Sequence, residues 1–345
     1  MVNGYSRHNS HKGAIAPPLG VVLTAGMGTR LRPLTPDLPK SLVPLLNRPL
    51  VAYSLDAMAA LGIDDVVVVV GPGDAHTAEV ARRLAPRSMR VAVAVQQSPR
   101  GPGDAVLSAG AALDGRPVAV LAVDTVLTHL DASAMQAFLA NDAAAGLLLQ
   151  SVADPRAFGV AVLAGDRVVQ LEEKPAVPSS NLALVGLWLL RPRAIERVRD
   201  HPVINAKGES DLTATVATFV ERDCVLGWTF NGAWLDGGTL EGLLHAQGAL
   251  LRSLAPGHRH LADSALVRRS YLDAHVLIGD GARVDGSDIA QSVIGADAIV
   301  RDATLHRVLV APGATVIGGA YEDVVITRAG VVAGPGARAA TAMAR

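Results

Sequence analysis

The sequence predicts an α/β protein with a mostly parallel sheet, followed by a short parallel β-helix. Two patterns support this: short aliphatic runs alternate with helical segments up to about residue 255, and a spaced aliphatic motif recurs after it. The 345 residues, 50% of them hydrophobic, suffice for two domains with sizeable cores. We therefore expect a flexible tail at 1–18, an α/β domain at 19–255 and a β-helix domain at 256–345.

The elements of the α/β domain follow from hydrophobic periodicity. Continuous aliphatic runs (GVVL, VVVVVG and VAVLAVD) predict strands that are buried on both faces. Between the first two runs, Val51, Leu55 and Met58 recur at helical spacing, and Gly62 marks the end of that helix. This alternation indicates a parallel sheet, whose ligand crevice lies at the carboxyl ends of its strands.

A seven-residue motif recurs four times in the C-terminal part. Each copy contains an aliphatic residue, a small residue, two variable residues, Ala, a variable residue and Val. The copies occupy 261–267, 278–284, 294–300 and 310–316, so their starts are 17, 16 and 16 residues apart. Hexapeptide-type repeats of this kind stack small and aliphatic side chains inward, which predicts a parallel β-helix.

Composition and charge exclude several classes of protein. The formal net charge of −1 shows no excess of basic residues, which a protein that coats nucleic acid would have. The single cysteine, Cys224, excludes an internal disulfide framework and fits a reducing compartment. No apolar run approaches the ~20 residues of a membrane span, and residues 1–18 lack the apolar core of a signal peptide. We therefore expect a cytoplasmic protein that binds neither nucleic acid nor membrane.

The loop after the first strand, LTAGMGTRLRPLTPDLPKSL, combines glycines with clustered cations. It matches neither the dinucleotide fingerprint G-x-G-x-x-G nor the Walker pattern G-x4-G-K-[ST]. Gly26 and Gly28 let main-chain N–H groups approach a phosphate closely. Arg30, Arg32 and Lys40 neutralise several negative charges. These residue types suit a triphosphate.

The stretch AGMGTRLRPLT…PKSLVPLLNRPL closely resembles the nucleotide-binding signature of the sugar-phosphate nucleotidyltransferases, which make nucleoside-diphosphate sugars. The resemblance implies a Rossmann-like nucleotidyltransferase domain and, as in the longer members, a left-handed β-helix of hexapeptide repeats. It implies that Lys40 stabilises charge at the reacting phosphate. It also implies a set of residues that hold the triphosphate: Ala25, Gly26, Gly28, Thr29 and Arg30.

Three further segments occur in the family's order. QQSPRGPGDAV resembles the base-reading segment, which implies that Gln96 and Gly101 face the nucleobase. FGVAV resembles the strand that contacts the sugar and assigns Gly159 to that contact. LEEKP…SSNLALVGLW resembles the segment that holds the sugar 1-phosphate. By that resemblance Glu173 contacts a sugar hydroxyl, Lys174 contacts the phosphate, and Asn181 lies nearby.

Two acids complete the predicted site. Asp124 follows an apolar run, and Asp236 lies in WLDGGT, which resembles the family's W-x-D-x-G-T element. A carboxylate that ends a buried strand at a sheet edge is a natural Mg²⁺ ligand. In the family context we expect both acids to bind one Mg²⁺ and to form the catalytic set with Arg30 and Lys40.

The predicted reaction is attack by an oxygen of a sugar 1-phosphate, or of a cyclitol phosphate, on the α-phosphorus of a nucleoside triphosphate, with release of pyrophosphate. Gln96 favours dTTP or UTP because an imide edge pairs well with an amide, although ATP and GTP users occur among relatives. Two alternatives stay open: a catalytically silent sugar-nucleotide-binding subunit of this fold, and a bifunctional enzyme whose β-helix transfers acyl groups. We expect a homo-oligomer, since exposed β-helix edges and apolar faces usually need covering.

The sequence departs from the family pattern at three places. Val123 stands where the family usually has glycine before the first acid, and GESDLTATV only partly matches the usual acidic segment at a helix start. The base-reading PRGPGDA is also atypical. These departures concern the identity of the substrates more than the type of reaction.

Overall fold

The computed structural model describes residues 16–32, 34 and 38–340, with side chains up to residue 332. Most of the predicted tail, residues 1–15, lies outside them. No helix in this part of the chain is long and apolar enough to cross a membrane. Short 3-10 turns cover Thr29–Leu31, Lys40–Leu42 and Gly110–Leu113. The α-helices are α1 Leu50–Ala60, α2 Ala75–Leu84, α3 Pro102–Leu107, α4 Ser133–Ala140, α5 Pro192–Asp200, α6 Leu212–Ala217 and α7 Leu240–Ser253.

The N-terminal part is built around one nine-stranded sheet with three small two-stranded pairs beside it. Its strands are β1 Leu19–Leu23, β2 Pro44–Leu45, β3 Arg48–Pro49, β4 Asp65–Val70, β5 Arg90–Val95, β6 Val118–Ala122, β7 Thr125–Leu127, β8 Ala145–Ser151, β9 Gly159–Ala164, β10 Arg167–Glu173, β11 Leu182–Leu190, β12 Val203–Ile204, β13 Ser210–Asp211, β14 Val225–Thr229 and β15 Trp234–Asp236. The order in the large sheet is β5-β4-β1-β6-β11-β8-β14-β10-β9. The predicted strands and the predicted helix α1 are all present.

The strands that were predicted from the apolar runs are parallel to one another, and the rest of the sheet is mixed. β5, β4, β1 and β6 are mutually parallel neighbours. β11 joins antiparallel to β6 and β8, and β10 joins antiparallel to β9. Only Gly165 and Asp166 separate β9 from β10, with Gly165 at φ 62°. A two-residue connection can join only antiparallel strands, so this turn fixes the direction of β10 relative to β9. The change of direction next to the parallel set comes from β11, which lies antiparallel between β6 and β8.

Both faces of the large sheet are covered by helices and apolar side chains. Val21 and Val67 pack into one hydrophobic cluster with α5 and α6. Val22 and Val68 face the other way, into a cluster that includes Leu55 and other side chains of α1. Burial on both faces explains why these strands are aliphatic without alternation. The predicted α/β layering is confirmed.

The C-terminal part consists of short strands that stack coil on coil. They form three columns, β16-β19-β22-β25-β27, β18-β21-β24-β27 and β17-β20-β23-β26. Neighbours within each column are parallel, as in the predicted left-handed β-helix. The strands are β16 Arg259–Leu261, β17 Leu266–Arg268, β18 Tyr271–Leu272, β19 Val276–Ile278, β20 Arg283–Asp285, β21 Asp288–Ala290, β22 Val293–Ile294, β23 Ile299–Arg301, β24 Thr304–His306, β25 Leu309–Val310, β26 Thr315–Ile317, β27 Ala320–Thr327 and β28 Gly330–Ala340.

The register of these coils reproduces the spacing of the sequence motif. Val267 lies beside Val284, Val284 beside Val300, and Val300 beside Val316. Within one copy, Ile278, Ala282 and Val284 are all buried. The same three positions are buried in the third and fourth copies, as predicted, whereas in the first copy Leu261 is 40% exposed.

The β-helix packs against the α/β part through α7. Side chains from both parts belong to one continuous hydrophobic cluster. The buried Gln247 of α7 donates from Nε2 to the carbonyl of Val308 at 3.1 Å. Asn47 donates from Nδ2 to the carbonyl of Ile294, also at 3.1 Å. The division at residues 255 and 256 remains a prediction, since this shared core runs across it.

Candidate active site

The parallel strands bring three predicted segments to one edge of the sheet. The carboxyl ends of β1, β5 and β6 lie on the same edge because these strands belong to one parallel set. The glycine-containing loop follows β1, Gln96 follows β5 directly, and Asp124 comes two residues after β6. Residues that are about a hundred positions apart in the sequence therefore meet.

A cleft of about 590 Å³ opens at this edge. Its walls also include Phe158 and Trp234, whose rings meet edge to face with centroids 4.7 Å apart. Arg32 and Asn181 do not line this cleft, whereas the other predicted site residues do: Ala25, Gly26, Gly28, Thr29, Arg30, Lys40, Gln96, Gly101, Asp124, Gly159, Glu173, Lys174 and Asp236.

Asn181, which the resemblance assigns to the sugar phosphate, lies outside the cleft lining. It is exposed at the start of the segment leading into β11, and its Nδ2 donates to Ser151 Oγ at 2.8 Å. Its assignment to the sugar phosphate stays a prediction.

The sequence analysis missed several polar residues of the cleft wall: Asn205, Glu209, Asp211 and Thr213. Asp211 caps α6, since its Oδ1 accepts the N–H of Ala214 at 2.9 Å. Glu209 accepts from Asn205 Nδ2 at 3.2 Å. The available signal for Glu209, Asp211 and Thr213 was GESDLTATV, which partly matches the family's acidic segment at a helix start, whereas Asn205 lies outside that stretch.

A short antiparallel pair positions the two acids. β7 begins directly after Asp124 and pairs with β15, which places Asp236 opposite Thr125. The N–H of Gly237 donates to the carbonyl of Asp124 at 2.7 Å, and the N–H of Gly238 donates to Asp236 Oδ1 at 2.7 Å. These main-chain bonds hold both carboxyl groups at the base of the cleft.

Cations of the β1 loop surround the acids. Lys40, which is largely buried, donates from Nζ to Asp124 Oδ2. Arg30 Nη2 lies 4.0 Å from the same oxygen and is much more exposed. Burial raises the pKa of Asp236 despite the opposing N–H of Gly238, and the charge of Asp124 raises it further. The site therefore favours additional positive charge near Asp236.

The space between the carboxylates suits a cation. A Cβ atom on Gly238 would lie 2.5 Å from Asp124 Oδ2 and 2.8 Å from Asp236 Oδ1, so both oxygens border a point that glycine leaves open. No set of three or more His, Cys, Asp or Glu side chains forms a metal site in the described part of the chain. Two carboxylates fit a hard divalent cation that takes its other oxygens from phosphate and water.

Another group of residues lies across the cleft, on the β9–β10 hairpin. Gly159 pairs with Glu173 across the two strands, and a Cβ on Gly159 would lie 3.2 Å from Glu173 Oε2. Lys174 has φ 46°, and its Nζ lies 2.8 Å from Glu173 Oε1. The hairpin thus presents a carboxylate and an ammonium group side by side, and Thr213 packs against the glycine, where a Cβ would lie 2.8 Å from its methyl group.

A family model for nucleotidyl transferases matches residues 19–253, which include every predicted site residue. This chain belongs to the nucleotidyl transferase family. It is 34% identical over 286 residues to a glucose-1-phosphate thymidylyltransferase from Streptomyces antibioticus, covering 82% of this chain and 79% of that protein. A second glucose-1-phosphate thymidylyltransferase, from Streptomyces griseus, is 31% identical over 315 residues, covering 86% and 88%.

A solved structure resembles this nucleotidyltransferase in fold. The crystal structure of a candidate glucose-1-phosphate thymidylyltransferase from Bacillus anthracis, in complex with sucrose, gives a TM-score of 0.62 at 25% identity. The match covers 70% of this chain and 98% of that one. The predicted family, a sugar-phosphate nucleotidyltransferase, and the predicted enzyme class are confirmed. Enzymes of this family generally need a divalent metal.

Proposed function

We propose that this enzyme transfers a nucleotidyl group from dTTP or UTP to a sugar 1-phosphate, with Mg²⁺ as its metal, giving a nucleoside-diphosphate sugar and pyrophosphate. Its relatives are named glucose-1-phosphate thymidylyltransferases, which supports thymidine nucleotide and glucose 1-phosphate as the first substrates to test. The observation that carries the proposal is the convergence of Asp124, Asp236 and Lys40 at the base of a cleft beside the glycine loop.

The loop after β1 provides the binding site for the triphosphate. Gly26 and Gly28 both line the cleft, a Cβ on Gly26 would meet no atom within 4 Å, and Arg30 extends its charge into solvent beside them. Lys40 is held by Asp124, so its ammonium group is already oriented at the point where charge develops. These residues neutralise and position the triphosphate.

The β9–β10 hairpin provides the acceptor side. Lys174 attracts the phosphate of the sugar 1-phosphate, and Glu173 accepts a hydrogen bond from a sugar hydroxyl above Gly159. An oxygen of that phosphate attacks the α-phosphorus, a new phosphorus–oxygen bond forms, and the bond to the β-phosphate oxygen breaks. Pyrophosphate leaves with the bonding electron pair. The attacking phosphate is already anionic, so the chain need not supply a general base.

Asp124 and Asp236 would hold Mg²⁺. When bound, the metal neutralises negative charge on the phosphates of the reacting centre. The two side chains supply carboxylate oxygens from fixed positions, and the raised pKa of Asp236 reflects a burial that a cation would offset.

The test is a panel of five nucleoside triphosphates against several sugar 1-phosphates, monitored by release of pyrophosphate. We expect turnover with dTTP or UTP and glucose 1-phosphate in the presence of Mg²⁺. If the protein binds a nucleotide sugar but turns over none of the triphosphate and sugar 1-phosphate pairs, the result would instead support a catalytically silent subunit. Turnover restricted to ATP or GTP would overturn the assignment of the base while leaving the reaction class intact.

We also propose that the protein forms a homo-oligomer and that it is cytoplasmic. The β-helix supports the first, because it carries exposed apolar side chains such as Tyr271 and Ile317. The composition, with its single cysteine, supports the second.

A further inference from the structure

The amide of Gln96 is held between two hydrogen-bond acceptors. Its Nε2 donates to the carbonyl of Gly101 at 3.0 Å and to Asp104 Oδ2 at 2.9 Å. A primary amide has two N–H donors, and both are used here. Across residues 16–32, 34 and 38–340, no hydrogen bond reaches the carbonyl oxygen Oε1. The acceptor end of the amide is therefore the end left for a ligand.

The chemistry of the neighbours dictates this orientation. If the amide turned over, Oε1 would face a carboxylate and a carbonyl oxygen, which are both acceptors, and the contact would be repulsive. Gln96 is only 5% exposed, so such a mismatch has little water to relieve it. Of the two acceptors, the Asp104 carboxylate carries a full negative charge and the Gly101 carbonyl does not. A charged acceptor forms the stronger hydrogen bond.

The segment that carries Asp104 is itself held in place by neighbouring residues. Asp104 lies in the first turn of α3, and the carbonyl of Arg100 accepts the N–H of Ser210 at 2.6 Å. A Cβ on Gly101 would lie 2.7 Å from the carbonyl oxygen of Ser210, so the two segments are in close contact. The carboxylate therefore cannot follow a turning amide without disturbing this packing.

We propose that Asp104 is a specificity-determining positioning residue, which presents the carbonyl oxygen of Gln96 to the nucleobase. The inference rests on the proposed function, in which Gln96 faces that base. An acceptor selects a base with a ring N–H, as at N3 of uracil and thymine, and it opposes the lone pair at N3 of cytosine or N1 of adenine. The fixed amide thus selects imide bases and disfavours cytosine and adenine.

UTP and CTP give the sharpest test, since their bases differ only at position 4 and in the N3 proton. Equilibrium binding of both to the full-length protein with Mg²⁺ gives a ratio of dissociation constants. We expect wild type to prefer UTP, and Asp104→Asn to lower that preference by roughly tenfold, the scale of one hydrogen bond. The amide group that this substitution introduces would be able to donate to Gln96 Oε1 and so stabilise the turned orientation.

Two further variants complete the experiment. Asp114→Asn removes a carboxylate just beyond the end of the neighbouring 3-10 turn, outside the cleft, and should leave the ratio unchanged. Asp104→Ala removes the acceptor without adding a donor and should lower the ratio less than Asp104→Asn. A loss of folded protein would weaken both nucleotides equally and leave the ratio unaltered, so the ratio separates positioning from structure.

The outcomes separate the two proposals. An unchanged ratio in both Asp104 variants overturns the role of Asp104, while turnover by wild type keeps the proposed function. A lowered ratio in a protein that releases no pyrophosphate supports Asp104 and overturns the reaction. Failure of wild type to bind either nucleotide overturns both.

Discussion

Thr125 and Asp236 lie directly opposite each other in the β7–β15 pair, and this pairing brings Asp236 next to Asp124. The main-chain bond from Gly237 to the Asp124 carbonyl extends the same ladder. Two acids from distant parts of the chain are therefore positioned by main-chain hydrogen bonds. Because the backbone fixes the position of both residues, each carboxylate keeps one oxygen that is not engaged by Lys40 or by the N–H of Gly238.

Asp124→Asn and Asp236→Asn keep the shape of each side chain and remove its charge. We expect each to lower kcat by two orders of magnitude or more, which corresponds to about 3 kcal/mol. The double variant should lose less than the two single losses combined, because the acids act as one unit. EDTA should abolish turnover by wild type, and added Mg²⁺ should restore it. Turnover near wild type in Asp124→Asn with Mg²⁺ would refute the metal assignment.

Gly238→Ala tests the space between the carboxylates. The new Cβ would approach both Asp124 Oδ2 and Asp236 Oδ1 closer than 3 Å, so the oxygens must move apart. We expect kcat to fall at least roughly tenfold and the Mg²⁺ requirement to rise, since small displacements of reacting groups are costly. Gly248→Ala on α7 is the matched control, because only the flexible Arg252 lies near its Cβ. Equal activity of the two variants would contradict the proposed role of this space.

Lys174→Ala should separate the two substrates. Its ammonium group lies beside Glu173 in the cleft lining, in the part proposed to bind the acceptor. We expect KM for the sugar 1-phosphate to rise roughly tenfold, with a much smaller change in KM for the triphosphate. Arg167→Ala, at the other end of β10, is the control and should change neither constant. Equal increases in both KM values would contradict the assignment of Lys174 to the phosphate of the sugar 1-phosphate.

Tyr53 makes the stability of the fold sensitive to alkaline pH. Burial raises its pKa to about 12, although nearby Arg48 opposes this, and its hydroxyl donates to the carbonyl of Leu45 at 2.8 Å. The unfolded state therefore releases this proton first. The stability that the neutral phenol contributes is complete below pH ~10 and is lost as the pH rises through about 12.

Tyr53→Phe should lower the free energy of unfolding by about 1 kcal/mol at pH 7, because the Leu45 carbonyl loses its partner. The difference from wild type should then shrink between pH 10 and pH 12, as measured by urea unfolding. Tyr271→Phe, at an exposed position, should show no such pH dependence. A difference that stays constant across this range would show that Tyr53 does not titrate with unfolding.

The β-helix is expected to carry the contacts of a homo-oligomer. Ile317 at the end of β26 is 69% exposed, which is unusual for a large aliphatic side chain. We expect Ile317→Glu to shift the sedimentation coefficient of the full-length protein toward that of a monomer. Val177→Glu places the same charge on an exposed aliphatic position outside the β-helix and should have no effect. A wild-type protein that sediments as a monomer would contradict the prediction.

The glycine loop and the β-helix were predictable because their signals are local. The prediction that the loop binds phosphate depends on residue types within one short segment, and the coil repeat depends on spacing alone. The mixed half of the sheet was not predicted, because it begins where β11 lies antiparallel between β6 and β8, and that placement is a property of the folded strand order. Asn205, Glu209 and Thr213 were missed because their role depends on which strands lie beside them.

Periodicity and contiguous residue types determine the α/β layering, the repeat of the β-helix and the cationic loop. Each of these features could therefore be predicted from the sequence alone. The meeting of Asp236 with Asp124, and the orientation of the Gln96 amide by Asp104, arise only in the folded protein. The meeting of the acids depends on strand order and register, and a slip of one residue in register would turn Asp236 to the opposite face. The Gln96 orientation depends instead on how one short segment folds, since Gly101 and Asp104 lie only five and eight residues further along the chain. No local pattern in the chain brings the two acids together.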